Sequence, residues 1–76
     1  MVKVNYISNQ FSIPIEYTLF QYQQNESFFV YDGDTMIGSI VEISDKWVQI
    51  SGREMLQDTV DELGYFISKQ LQNDTR

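Results

Sequence analysis

Phe28-Phe29-Val30-Tyr31-Asp32-Gly33-Asp34-Thr35-Met36-Ile37-Gly38-Ser39-Ile40-Val41-Glu42-Ile43 is the stretch that decides the fold. Two apolar, β-prone runs flank an acidic turn centred on glycine. Asp32-Gly33, with Asp34 following, is the strongest short-range hairpin signal in the chain. A type I′ turn needs positive φ, which Gly and Asp tolerate best. Ser27 to Tyr31 is apolar on both faces and reads as a central strand. In Thr35 to Ile43, Ile37, Val41 and Ile43 are expected on one face, with Met36 and Ile40 on the other. Gly38 marks a bulge or the close approach of another element.

Working outward, Val2, Val4 and Tyr6 alternate with Lys3 and Asn5, the period of a half-buried strand, and Ser8-Asn9-Gln10 then turns the chain. Phe11, Ile13, Ile15, Tyr17 and Leu19 share one phase until Phe20 and Tyr22 change it, where a bulge is expected. Pro14 cannot donate to a ladder, so this second strand either has an unpaired edge early on or begins after the proline. The polar run from Gln21 to Glu26 supplies the next reversal. Ser44-Asp45 turns the chain again, and Lys46-Trp47-Val48-Gln49-Ile50 makes a fifth short strand ending near Ser51-Gly52.

The remainder is helical. Leu56, Val60, Leu63, Gly64, Ile67 and Leu71 fall on one stripe at 3.6-residue periodicity. Ser51-x-x-Glu54 matches a capping box for a start near 52. A start near 57 is preferred, because it puts Asp58, Asp61 and Glu62 at the positive end of the helix dipole and Lys69 in the last turn. Gly64 on the inner stripe suits a close helix-to-sheet approach, since glycine inside a helix otherwise costs about 1 kcal/mol. The expected architecture is α+β: an antiparallel meander of four to five strands packed by one C-terminal amphipathic helix. One domain spans 1–72, with 73–76 as a frayed tail.

The chain resembles small uncharacterised bacterial proteins of similar length. The likeness rests on Val30-Tyr31-Asp32-Gly33, Ile37-Gly38-Ser39-Ile40, Lys46-Trp47 with Gln49, Gly52, and Val60-Asp61-Glu62-Leu63-Gly64, roughly the second half of the chain. That group has no assigned activity, so the resemblance implies a fold and carries over no functional residue.

Composition removes several function classes. The 76 residues include no Cys and no His, which eliminates disulfides, thiolate chemistry, the common zinc, copper and iron sites and the usual neutral-pH general base. A net charge of −6 repels phosphate backbones, so no nucleic-acid partner is expected. No window approaches the ~20 apolar residues of a membrane span, and without an apolar leader the expected location is cytoplasmic. Asp32-Gly33-Asp34 fails as a calcium loop because the sixth and twelfth positions hold Ile37 and Ile43. Glu54, Asp58, Asp61 and Glu62 cluster near the helix start, but Asp58 and Glu62 share one side away from the apolar stripe and are expected to be solvated, so dipole complementation explains the cluster better than acid–base catalysis. The serines have no histidine to activate them, and Gly33, Gly38, Gly52 and Gly64 build no phosphate cradle. No enzyme activity, metal or cofactor is expected.

What remains is apolar surface in excess. Strands three to five carry large side chains in both phases, while a single helix covers only one face, and alternation does not identify which. An open apolar face marks an interface or a ligand groove. Self-association is the first expectation, because it also stabilises an undersized core; docking of another protein is the same expectation with a different partner. Phe29, Tyr31 and Trp47 are the expected anchors. A small-molecule or carbohydrate platform built from the same aromatics is the alternative.

Overall fold

The computed structural model describes residues 1–24 and 26–74. Five antiparallel strands form one sheet in sequential order, β1 (Val2–Ser8), β2 (Ile15–Gln21), β3 (Phe28–Asp32), β4 (Thr35–Ile43) and β5 (Lys46–Gly52), followed by helix α1 (Gln57–Asp74). This is the expected α+β meander closed by a helix. The helix runs to Asp74, past the boundary expected at 72; residues 75 and 76 of the expected tail lie outside the described residues.

β2 begins at Ile15, directly after Pro14, which is the second of the two expectations for this strand. Phe11 and Ile13 therefore belong to a loop, 42% and 72% exposed, although their spacing continues the strand's alternation. No bulge occurs at Phe20; β1 and β2 pair in unbroken register from Val2↔Gln21 to Ser8↔Ile15. The change of phase there has a simpler cause. Tyr17, Leu19 and Gln21 point inward, so Phe20 is an aromatic on the outer face.

The register shifts lie elsewhere. Between Val30↔Gly38 and Tyr31↔Met36, Ile37 is the extra residue of β4; between Ser39↔Ser51 and Ile40↔Gln49, Ile50 is the extra residue of β5. A bulge lets one strand change phase. Ile37 and Ile40, expected on opposite faces, consequently both join the core, while Val41 and Ile43 stay on the other side.

The turn at Ser44-Asp45 falls where expected, but the turn after β3 is not of the expected type. Asp32 pairs with Thr35, so the turn residues are Gly33 and Asp34, and of these only Gly33 has positive φ, at 64°. That is the type II′ pattern. The type I′ pattern, positive φ at both positions, falls instead on Ser44 (52°) and Asp45 (67°), between Ile43 and Lys46.

Tyr17 and Leu19 of β2, Phe28 and Val30 of β3, and Ile37 and Ile40 of β4 form the sheet side of the core, opposite Val60, Leu63 and Ile67 of α1. The helix starts where preferred. Leu56 leaves the expected stripe: its carbonyl accepts from the N–H groups of Thr59 (3.0 Å) and Val60 (3.1 Å), which makes it the N-terminal boundary residue, and its side chain is 61% exposed. Because α1 extends to Asp74, Lys69 is not in the last turn; its ammonium lies over the Tyr65 ring, 5.3 Å from the centroid.

Candidate functional site

The face of the sheet turned away from α1 is read from the pairing. Lys3, Phe20, Phe29, Ser39 and Ser51 lie side by side across all five strands, and Asn5, Thr18, Tyr31 and Met36 form the neighbouring row. On this lattice four rings touch in series. Tyr31 meets Phe20 edge to face at 5.5 Å, Phe20 stacks on Tyr22 at 6.4 Å, and Tyr22 meets Phe29 edge to face at 5.6 Å. Both contact geometries suit aromatic quadrupoles. The Lys3 ammonium sits 5.6 Å from the Phe20 centroid at one margin.

Of the three expected anchors, Phe29 and Tyr31 belong to this cluster and Trp47 does not. Trp47 lies on the opposite face, beneath α1, with its indole N–H donating to Ser68 Oγ at 3.3 Å and its ring edge-on to Phe28 at 6.1 Å. The face contains Phe20 and Tyr22 in its place. The signal for both was present in the sequence as the phase change at the end of β2, which read as a bulge rather than as outward-facing aromatics.

Charge is divided between the two sides. Among the strand residues on the outer face, Lys3, Lys46 and Glu16 are the ionised groups, whereas Asp32 and Glu42 pair with inward-facing partners, Tyr17 and Trp47. Asp34 stands at the rim, in the turn after β3, beside a shallow cavity of about 350 Å³ lined also by Lys3, Thr18, Phe20, Tyr22 and Tyr31. The acidic excess of the chain is thus concentrated on the helix side and in the loops.

The helix carboxylates are not all solvated dipole partners. Glu62 is half-buried, accepting from Tyr6 Oη at 2.5 Å and from Ser8 Oγ at 3.0 Å. Chiefly through this hydrogen bond, and then through burial and the charge of Glu62, the Tyr6 hydroxyl is pushed up to about 12. Tyr17 is raised as well, first by burial and then by the charges of Asp32 and Glu62. Ser8 is fully buried, so its pairing with Glu62 fastens β1 to α1 and offers no nucleophile to a substrate. Asp61 accepts from Gln57 Nε2 at 2.9 Å, and Asp58 occupies the first turn as expected.

Among the described residues no three of Asp, Glu, Cys or His stand close enough to hold a metal ion, and no helix is long and apolar enough to cross a membrane. Comparison with protein-family models, curated proteins and solved structures finds no match for this chain.

Proposed function

We propose that this chain is a non-enzymatic interaction domain that self-associates through the outer face of its sheet. The observation that carries the reading is the four-ring series Tyr31–Phe20–Tyr22–Phe29 on a face that α1 does not cover. A second copy is the occupant favoured by charge. At −6 overall, two copies repel, but the outer face contributes two lysines and one glutamate from its strands, so packing face to face leaves both acidic sides in solvent.

Size supports it as well. Five strands about 4.8 Å apart, seven residues long on average at about 3.3 Å per residue, project roughly 550 Å² before side-chain relief. Each partner in a standard interface contributes ~800 Å². An isologous two-fold arrangement uses the same patch twice and needs no other surface.

Light scattering between micromolar and several hundred micromolar protein tests the proposal. The expected mass rises across that range toward twice the 9.0 kDa of one chain, and Phe29→Asp with Tyr31→Asp is expected to hold it at one. A wild-type monomer over the whole range that also binds no hydrophobic dye overturns it. The alternative reading, a stacking platform for a sugar or another planar ligand, draws on the shallow cavity beside Phe20, Tyr22 and Tyr31. Ligand-induced tyrosine quenching without a change in mass favours that reading; Trp47, on the other face, is expected to stay silent.

A further inference from the structure

We propose that the free edge of β1, together with the cavity between β1 and α1, forms a groove that takes an extended basic peptide segment of a partner protein. β1 is an outer strand of the sheet and, among the described residues, pairs only with β2. One line of its backbone N–H and C=O groups therefore has no ladder partner. Proteins blunt such edges with bulges, prolines or several charges. The other outer strand, β5, is bulged at Ile50, whereas β1 pairs in seven consecutive steps with no shift, contains no proline and carries one charge, Lys3. It is the better template of the two for strand addition.

Beside this edge, on the helix side, lies a cavity of about 510 Å³. Tyr6 of β1 and Phe66 of α1 make its apolar floor, with ring centroids 4.6 Å apart, and Tyr65 flanks them. Asp58, Asp61 and Glu62 supply the carboxylates, the first two exposed. An added strand directs every second side chain toward the helix side, into this cavity. A lysine or arginine there lays its methylene stem on the rings and its charge among the carboxylates. The chain already shows this chemistry, since Lys69 at the cavity margin rests over Tyr65.

The probe is an acetylated, amidated heptapeptide of alternating valine and lysine, titrated into ¹⁵N-labelled protein. Expected are amide shifts over Val2–Ser8 and the 58–69 flank of α1, at least tenfold weaker binding by an Asp58→Asn, Asp61→Asn variant of unchanged circular dichroism, and tighter binding by Lys69→Gln. N-methylation of alternate peptide amides is expected to abolish binding in one phase and leave it intact in the other. The proposal is overturned if β1 amides do not respond at millimolar peptide, if a glutamate-for-lysine peptide binds equally, or if β1 amides are exchange-protected without peptide because a second copy occupies the edge. Association through the outer aromatic face changes mass without protecting β1, so the two surfaces are distinguishable.

Discussion

The indole of Trp47 lies so close to the backbone of Gly64 that a Cβ at residue 64 would stand 2.1 Å from its Cγ and 2.3 Å from its Cδ1. The absence of a side chain on the inner stripe of α1 is therefore what lets the only tryptophan slide under the helix and reach Ser68. Gly64→Ala sets two effects against each other. Alanine improves helix propensity by about 1 kcal/mol, while overpacking typically costs about 1–3 kcal/mol, and at 2.1 Å the indole must move. The expected net result is a loss of about 1–2 kcal/mol in urea unfolding. In a Trp47→Leu background the overlap disappears, and the same Gly64→Ala change is expected to stabilise by up to about 1 kcal/mol. A cycle without that change of sign contradicts the packing argument.

Tyr6 and Glu62 make stability dependent on alkaline pH. The folded state holds the Tyr6 proton up to about 12, whereas the unfolded chain releases it near the ordinary value of 10.0. A raised folded pKa means that the contribution is complete below pH 10 and disappears as pH climbs toward 12, because there the unfolded state binds fewer protons. Unfolding midpoints at pH 8, 10 and 11.5 are expected to fall over the last interval. Tyr6→Phe is expected to flatten that fall and to lower stability at pH 8 by about 1 kcal/mol, the size of a partly exposed hydrogen bond to a charged acceptor. An unchanged alkaline slope in Tyr6→Phe refutes the assignment.

Gly64 on the inner stripe was legible from side-chain spacing, the five strands from alternation broken by turn signals, and the helix start near 57 from the carboxylates at the positive end of its dipole. Faces were less legible. A one-residue bulge reverses phase; Gly38 signals the one beside it at Ile37 but not which residue is extra, and nothing signals the one at Ile50, so alternation separates Ile37 from Ile40 although they share the core. Trp47 shows a second limit, because alternation says that it opposes Val48 but not which of them meets the helix. Phe11 and Ile13 show the converse error, alternation without a ladder, because Pro14 delays the strand. The Glu62 contacts with Tyr6 and Ser8, across 56 and 54 residues of chain, come from tertiary packing and have no local signature.

The turn at Ser44-Asp45 stores correctable backbone strain. Both residues occupy the left-handed region, at φ 52° and 67°, where a Cβ crowds the carbonyl by roughly 1–2 kcal/mol per residue, less for Asp. Ser44→Asn with Asp45→Gly supplies the residues that a type I′ turn prefers, and is expected to raise stability by about 1 kcal/mol. Gly33→Ala is the opposing control. Its Cβ meets nothing within 4 Å, yet its φ of +64° alone is expected to make it destabilising by about 1 kcal/mol. Denaturant midpoints of the two variants should move in opposite directions; a shift of the same sign in both rules out backbone strain as the cause.

If the outer face is covered by a second copy, stability and association are one equilibrium, and the unfolding midpoint must rise with protein concentration. Each outer-face aromatic then acts differently from a core residue. Leu19→Ala removes a fully buried side chain and is expected to cost about 2–5 kcal/mol at any concentration. Phe29→Thr and Tyr31→Thr keep β-propensity on an outward-facing strand surface, so at low micromolar concentration, where monomer dominates, they are expected to cost about 1 kcal/mol or less. At several hundred micromolar the wild type gains from association and these variants do not, so the gap between them is expected to widen. A constant gap over a hundredfold range in concentration, measured by thermal unfolding, refutes self-association through Phe29 and Tyr31 while leaving the Leu19 result untouched, because the two faces of the sheet are stabilised by different neighbours.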